Sequence, residues 1–202
     1  MTLKREDVPL SPEQRDGMMS VVAGESERLA RIVNDILLAS RLDSDLVDVS
    51  IERTDPAELV GAVLAAAKAH LPPGIELSSQ IPDGVPAISA DAERVRQVLV
   101  NLVENAIKYS PDGGRVSVVL ETAGERLRIS VVGEGLGIPA SEHGRIFEKF
   151  YRVDPNLTRG VGGTGLGLYI CREIVRRMDG RLWVESEAGR GSTFAFELPL
   201  AA

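Results

Sequence analysis

The chain has 202 residues, 44% of them hydrophobic, which suits one ordinary domain with an appendage and permits a buried core. Its net charge of −7, from 23 basic and 30 acidic residues, argues against general binding to nucleic acids or anionic membranes. A single cysteine excludes an internal disulfide and a cysteine-based zinc cluster, and no apolar run predicts a membrane span. We therefore expect a soluble chain with a cytoplasmic location.

The first predicted element is a long helix over residues 11–45. Ser11 followed by Pro12 is typical of a helix start, because serine caps free N–H groups and proline fits the first helical position. Apolar residues then recur at helical spacing from Met18 to Leu37. Such a stripe has nothing within its own segment to pack against. A partner helix, in this chain or in another, is therefore predicted.

Helices and strands alternate along the rest of the chain. A linker over 43–55 is predicted to run into a short strand. Helical spacing is found at 56–69, 91–109 and 165–178, and strand patterns at 75–82, 85–89, 115–132 (a hairpin), 180–186 and 192–199. The region 133–164 is rich in loop residues. This order predicts an α/β fold, a two-layer sandwich with a mixed sheet under helices, preceded by the long N-terminal helix.

The predicted helix 91–109 carries a polar stripe beside its apolar one. Asn101, Asn105 and Lys108 recur in this stripe at three- and four-residue spacing. Asparagine is a poor helix former, so two of them one turn apart are unusual. Two interpretations stay open: a solvated polar face, or an amide oxygen that ligates Mg²⁺ beside a lysine that meets phosphate.

Glycines are concentrated in two segments, 133–137 and 160–165. The second matches G-x-G-x-x-G, but no strand precedes it and no Gly-Lys-Ser/Thr follows. Rossmann and Walker A loops are therefore not supported. A glycine-rich loop that enters a helix can offer N–H groups to phosphate, although a mobile surface loop has the same composition.

Five motifs in order, NLVENAIKYS, GEGLGIP, RIFEKFYR, GGTGLGL and GRGSTF, together resemble the ATP-binding catalytic domain of sensor histidine kinases. The resemblance covers roughly residues 50–200 and implies the Bergerat ATP-binding fold. The long helix resembles the second helix of the family's dimerisation hairpin, and we expect the first helix to lie outside this chain. Two domains are thereby implied, 1–45 and 46–202.

The resemblance implies roles for the residues that match family motifs. Asn105 is expected to ligate Mg²⁺ with support from Asn101, Lys108 and Arg152 to contact phosphate, and Tyr109 to lie against the base of ATP. Asn101, Lys108 and Arg152 are the expected catalytic residues. The remaining expected nucleotide-binding residues are Gly133, Gly135, Gly137, Ile138, Gly163, Thr164, Gly165, Leu166, Gly167, Leu168 and Thr193.

The segment between Arg152 and Gly163 corresponds to the family's ATP lid, which is expected to become ordered on nucleotide binding. The residues just before it, Phe147, Phe150 and Tyr151, match the family's F box, which anchors that lid.

Two features depart from the family pattern. Gly133 stands where the family has an aspartate that accepts a hydrogen bond from the adenine amino group. Losing such a bond costs about 1.5–3 kcal/mol. Neither His70 nor His143 has the sequence context of the family's phosphoacceptor, so we expect the acceptor histidine outside this chain.

The resemblance implies a kinase that transfers the γ-phosphoryl group of ATP to a hairpin histidine. It also implies relay to a response regulator and a homodimer formed through the hairpin. An amide at Asn101 has no basicity, so activation of water there is not expected. Two alternatives stay open: a nucleotide-weakened, non-catalytic interaction module, favoured by Gly133, and an anti-sigma-type serine kinase, against which the long helix argues.

Overall fold

Four α-helices and seven β-strands lie in the part of the chain that the computed structural model describes, residues 11–153 and 163–202 without the side chains of Pro12 and Glu13. In chain order they are α1 (Pro12–Asp43), β1 (Glu52–Thr54), α2 (Pro56–Lys68), β2 (Ile75–Gln80), β3 (Ile88–Ala90), α3 (Ala92–Lys108), β4 (Gly114–Ala123), β5 (Arg126–Gly133), α4 (Gly167–Arg177), β6 (Arg181–Ser186) and β7 (Ser192–Pro199). Two short 3₁₀ helices, Ala140–Glu142 and Arg145–Phe147, lie between β5 and α4.

Side-chain caps determine where the first three helices begin. At α1, the Ser11 hydroxyl accepts from the Gln14 N–H while the Gln14 side chain accepts from the Ser11 N–H. At α2 and α3 the carboxylates of Asp55 and Asp91 accept hydrogen bonds from backbone N–H groups of the first turn. The start of α4 has no side-chain cap, and this helix begins two residues later than predicted, at Gly167.

The main sheet has five strands in the order β2-β4-β5-β7-β6. β2 is parallel to β4 and the other pairs are antiparallel, so the sheet is mixed, as predicted. β1 and β3 form a separate antiparallel pair. Helices α2, α3 and α4 pack over one face of the sheet, where Ile129 and Phe196 are fully buried. The predicted two-layer α/β sandwich is confirmed.

The C-terminal end of α1 docks on the α/β sandwich through α4. Ala39 and Leu42 are buried there. The Asp43 carboxylate accepts a hydrogen bond from the Tyr169 hydroxyl at 2.5 Å and forms an ion pair with Lys149. Arg177 of α4 donates to the carbonyl oxygen of Leu42. The partner for the end of this helix is therefore in the same chain.

The apolar stripe of α1 ahead of this docked end remains exposed. Val22, Leu29 and Leu37 are 50%, 60% and 51% exposed. Despite its length, α1 is not apolar enough to cross a bilayer, and neither is any other helix within 11–153 and 163–202.

Replacing Asp43 with asparagine is expected to weaken the docking of α1 in a pH-dependent manner. The hydrogen bonds from Lys149 and Tyr169 hold the pKa of the Asp43 carboxyl below its ordinary value of 3.8. Because the folded pKa is the lower one, this stabilisation is complete above pH 3.8 and disappears as the pH falls through the folded pKa. Thermal unfolding followed by circular dichroism should give Asp43→Asn a lower midpoint than the wild type at pH 7.

The difference in midpoint should then close as the pH is lowered below 3.8. Asp48→Asn, a change at another exposed acidic residue close to the end of α1, provides the matched control and should leave the midpoint unchanged. A difference of the same size at every pH would mean that the Asp43 carboxylate does not hold α1 in place.

Candidate functional site

A cavity of about 930 Å³ opens between α1, α3, the segment after β5 and the start of α4. Cavities of about 300–1,000 Å³ accommodate small-molecule ligands and cofactors. Most of the predicted site residues line it: Asn101, Asn105, Lys108, Tyr109, Gly133, Gly135, Gly137, Ile138, Arg152, Gly163, Thr164, Gly165, Gly167 and Leu168.

The polar stripe of α3 forms one wall of the cavity. The Asn105 side-chain nitrogen donates to the Asn101 side-chain oxygen at 3.0 Å. This bond uses the nitrogen of Asn105, so its carbonyl oxygen is the atom that can serve as a ligand. Asn101 packs against the start of α4, where a Cβ at Gly167 would lie 2.5 Å from the Asn101 nitrogen. The stripe is therefore half-buried and forms a wall of the cavity.

Positive charge is concentrated where α3 ends. A Cβ at Gly163 would lie 3.0 Å from Lys108 Nζ, so this ammonium group sits against the glycine-rich loop. Burial, and then the nearby charge of Arg152, lower the pKa of Lys108. Both causes disfavour the positive charge, and an anion bound in the cavity would offset them.

Backbone segments cross closely at Gly135 and Gly137. A Cβ at Gly135 would lie 2.1 Å from the carbonyl oxygen of Tyr109, and a Cβ at Gly137 would lie 2.0 Å from that of Glu187. Gly137 also has φ +66°, which favours glycine. Both residues line the cavity as expected, but the contacts that exclude a side chain are with the protein's own backbone.

The described end of the glycine-rich loop, residues 163–165, is hydrogen-bonded to α1 and to Phe150. The Thr164 hydroxyl accepts from the Leu166 N–H at 3.2 Å and donates to the Asp35 carboxylate of α1 at 3.4 Å. Leu166 is fully buried, so it supports the loop from the core and does not line the cavity. Phe150 of the predicted F box donates its N–H to the carbonyl oxygen of Gly165 at 3.0 Å. The lid itself, 154–162, lies outside the described residues.

Thr193 is not brought to the cavity. It borders a shallow pocket on the opposite face of the sheet, together with Trp183 and Glu185. Successive residues of a strand point to opposite faces, so the preceding residue, Ser192, lines the cavity instead. Ser192 is paired with Gly133 across β5 and β7. The expectation that Thr193 lines the nucleotide cavity is therefore wrong, and the residue of β7 that lies there is Ser192.

Four residues of α1 also line the cavity, and the sequence analysis did not predict them. They are Arg28, Arg31, Ile32 and Asp35. Their spacing places them on one face of the helix, which was visible in the sequence. Nothing local indicates that this face would meet α3 and the glycine-rich loop, because that depends on how α1 docks.

Comparison with known proteins shows the family to which the chain belongs. A family model for histidine kinase-, DNA gyrase B-, and HSP90-like ATPases matches residues 90–202. The sensor histidine kinase WalK of Bacillus subtilis is 37% identical over 183 residues, which cover 90% of this chain and 30% of WalK. This chain spans between 30% and 51% of the length of its curated relatives WalK, KinB and SasA.

Two solved structures extend the similarity to α1. Full-length ShkA in complex with AMPPNP has a TM-score of 0.82 and 32% identity, covering 98% of this chain and 41% of ShkA. The histidine kinase ThkA in complex with the response regulator protein TrrA has a TM-score of 0.76 and 25% identity, covering 99% of this chain and 55% of that one. The chain therefore belongs to the histidine kinase-, DNA gyrase B-, and HSP90-like ATPase family, and its relatives there are sensor histidine kinases.

Proposed function

We propose that this chain is the Mg·ATP-binding, phosphoryl-transferring part of a sensor histidine kinase. The observation that supports this is the convergence of Asn105, Lys108, Arg152 and the glycine-rich loop on one cavity. An amide oxygen, two cations and the start of a helix are the groups that hold a nucleotide polyphosphate with its metal ion.

The proposed roles follow from the chemistry of each group. Asn105 supplies a hard oxygen ligand to Mg²⁺, and the ion would neutralise charge on the phosphates. Asn101 holds the Asn105 amide in place through their mutual hydrogen bond. Lys108 and Arg152 stabilise negative charge that develops on the transferred group. The cavity walls near Gly133 and Tyr109 would take the adenine.

The acceptor that this site suits is an imidazole supplied by a hairpin helix. The amides of Asn101 and Asn105 cannot act as general bases for a water molecule or a hydroxyl group, and Glu104 is the one carboxylate among the α3 residues that line the cavity. A neutral imidazole is already a nucleophile, so positioning and charge neutralisation are sufficient for the transfer. Neither alternative from the sequence is favoured, because the relatives are sensor histidine kinases. These alternatives were a non-catalytic module and a serine kinase.

The proposed partners depend on α1. We place residues 1–45 in a dimerisation hairpin and residues 46–202 in the catalytic domain. The exposed stripe with Val22 and Leu29 supports pairing with another hairpin helix and a homodimer in the parent kinase. ThkA was solved with the response regulator TrrA, which supports a response regulator as the recipient of the phosphoryl group. A cytoplasmic site of action is proposed with it.

Labelling with γ-³²P-ATP and Mg²⁺ tests this function. The chain alone should remain unlabelled, because neither His70 nor His143 has the acceptor's context. A hairpin fragment of the parent kinase that carries the acceptor histidine should acquire acid-labile, base-stable label when it is added in trans. Gly133→Asp should speed this labelling if adenine binding limits it.

The matched control is the same fragment with its acceptor histidine replaced by alanine, which should stay unlabelled. Strong labelling of the chain by itself would contradict the proposed division between catalytic domain and acceptor. Base-labile label would identify a hydroxyl acceptor and point to a serine kinase.

A further inference from the structure

We infer that Arg28 and Arg31 of α1 form an additional binding site for the terminal phosphates of the nucleotide, so that ATP bridges α1 and the catalytic domain, residues 46–202. This inference rests on the proposed function and adds a regulated contact to the same cavity. It is carried by where α1 is docked and by the charges that it brings there.

The position of the two arginines is fixed by contacts on the same helix. Asp35, one turn after Arg31, accepts the hydrogen bond from Thr164 in the glycine-rich loop. Ala39 and Leu42 follow at helical spacing and are buried. These contacts set the rotation of α1 about its axis. Arg28 and Arg31 lie on the same face as Asp35, and both line the cavity.

The charges at this end of the cavity are unbalanced. The basic residues that line the cavity among the described residues are Arg28, Arg31, Lys108 and Arg152, and the acidic ones are Asp35 and Glu104. The charges of both α1 arginines contribute to the lowering of the Lys108 pKa, after burial and Arg152. The three guanidinium groups therefore act on the Lys108 ammonium group across the cavity, and a polyphosphate bound there would attract all four cations.

Arginine is well suited to this role. Its guanidinium group presents paired N–H donors that match two oxygens of a phosphate group. Arg28 forms an ion pair with Glu25 at 3.2 Å, with side chains 52% and 61% exposed. Exposed pairs of this kind contribute little to stability, so Arg28 can exchange this partner for a phosphate at small cost.

A consequence is that occupancy and docking are linked. If a ligand contacts both α1 and the catalytic domain, docking of α1 increases the affinity for the ligand. By linkage, the bound ligand then favours docking by the same factor. The effect should increase with the number of phosphates, since AMP has no terminal phosphates to reach α1. ATP should therefore hold α1 more strongly than AMP does.

Titration calorimetry with Mg·ATP and with AMP on the double variant Arg28→Gln/Arg31→Gln tests the inference. We expect affinity for ATP to fall by about tenfold or more and affinity for AMP by less than about twofold. Glutamine is a good helix former and both arginines are exposed, so the thermal midpoint should be unchanged. The matched control, Arg15→Gln/Arg41→Gln, removes two charges from α1 outside the cavity and should keep the affinity of the wild type.

All titrations are repeated in the Gly133→Asp background, where the base is expected to bind more tightly. An equal loss for ATP and AMP, an equal loss in the control, or no loss at all would overturn the inference while leaving the proposed function standing. Failure of ATP to bind to either background would overturn the proposed function and this inference with it.

Discussion

Replacing Gly133 with aspartate is expected to tighten ATP binding at least several-fold. Gly133 ends β5 at the cavity wall, opposite Ser192, where the resemblance places the acceptor for the adenine amino group. A hydrogen bond to a carboxylate there contributes about 1.5–3 kcal/mol, or about 10- to 150-fold in affinity. A Cβ at this position would lie 3.2 Å from the Ala106 Cβ, so α3 must yield by a few tenths of an ångström. That adjustment uses part of the gain.

Calorimetry with ATP and GTP on the wild type, Gly133→Asp and Gly133→Ala separates the two effects. Gly133→Ala adds the Cβ without the carboxylate and should bind ATP no more tightly than the wild type. GTP should gain less than ATP from the aspartate, because guanine has a carbonyl group where adenine has its amino group. Equal gains for both nucleotides, or no gain for either, would remove Gly133 from the base site.

Replacing Asn105 with alanine is expected to abolish the Mg²⁺-dependent part of nucleotide binding. The ratio of ATP affinities measured with Mg²⁺ and with EDTA should fall to about one, since the side chain supplies the proposed oxygen ligand. The fold should survive. The lost hydrogen bond to Asn101 is worth about 0.5–1.5 kcal/mol, and the better helix propensity of alanine offsets about half a kcal/mol.

Gln97→Ala provides the matched control for this change. Gln97 is a half-buried amide on the same helix, hydrogen-bonded to Arg94 at 3.0 Å, and it does not line the cavity. It should retain the full Mg²⁺ dependence. An unfolded Asn105→Ala protein, or one with an unchanged Mg²⁺ dependence, would show that Asn105 has a structural role in place of a metal-binding one.

The helices were predictable because local chemistry determines them. Ser11, Asp55 and Asp91 each cap a helix with a side-chain oxygen a few residues from the N–H group that it accepts. The polar stripe of α3 was equally predictable, since helical periodicity alone places Asn101 and Asn105 on one face. Features that depend on short separations in sequence were therefore the ones that the sequence revealed.

The features that were missed depend on long-range packing. The hydrogen bond from Lys149 to Asp43 joins residues 106 positions apart, and no local pattern predicts which surface α1 meets. The face of β7 that lines the cavity depends on strand register, and a shift of one residue exchanges Thr193 for Ser192. A side chain at position 135 is likewise excluded by the backbone carbonyl group of Tyr109, whose position depends on long-range packing.

The docking contacts described for α1 lie in its last turns, between Asp35 and Asp43, so a tilt of the helix would pivot about this end. The hydrogen bond between Asp35 and Thr164 marks the start of the docked end, and the helix extends from there back to Pro12. At a rise of 1.5 Å per residue, this arm is about 35 Å long. A tilt of about 10° about the docked end would displace the far end by about 6 Å. Arg31 lies only one turn from Asp35, so a sideways movement at Pro12 would shift Arg31 relative to the cavity by a much smaller distance.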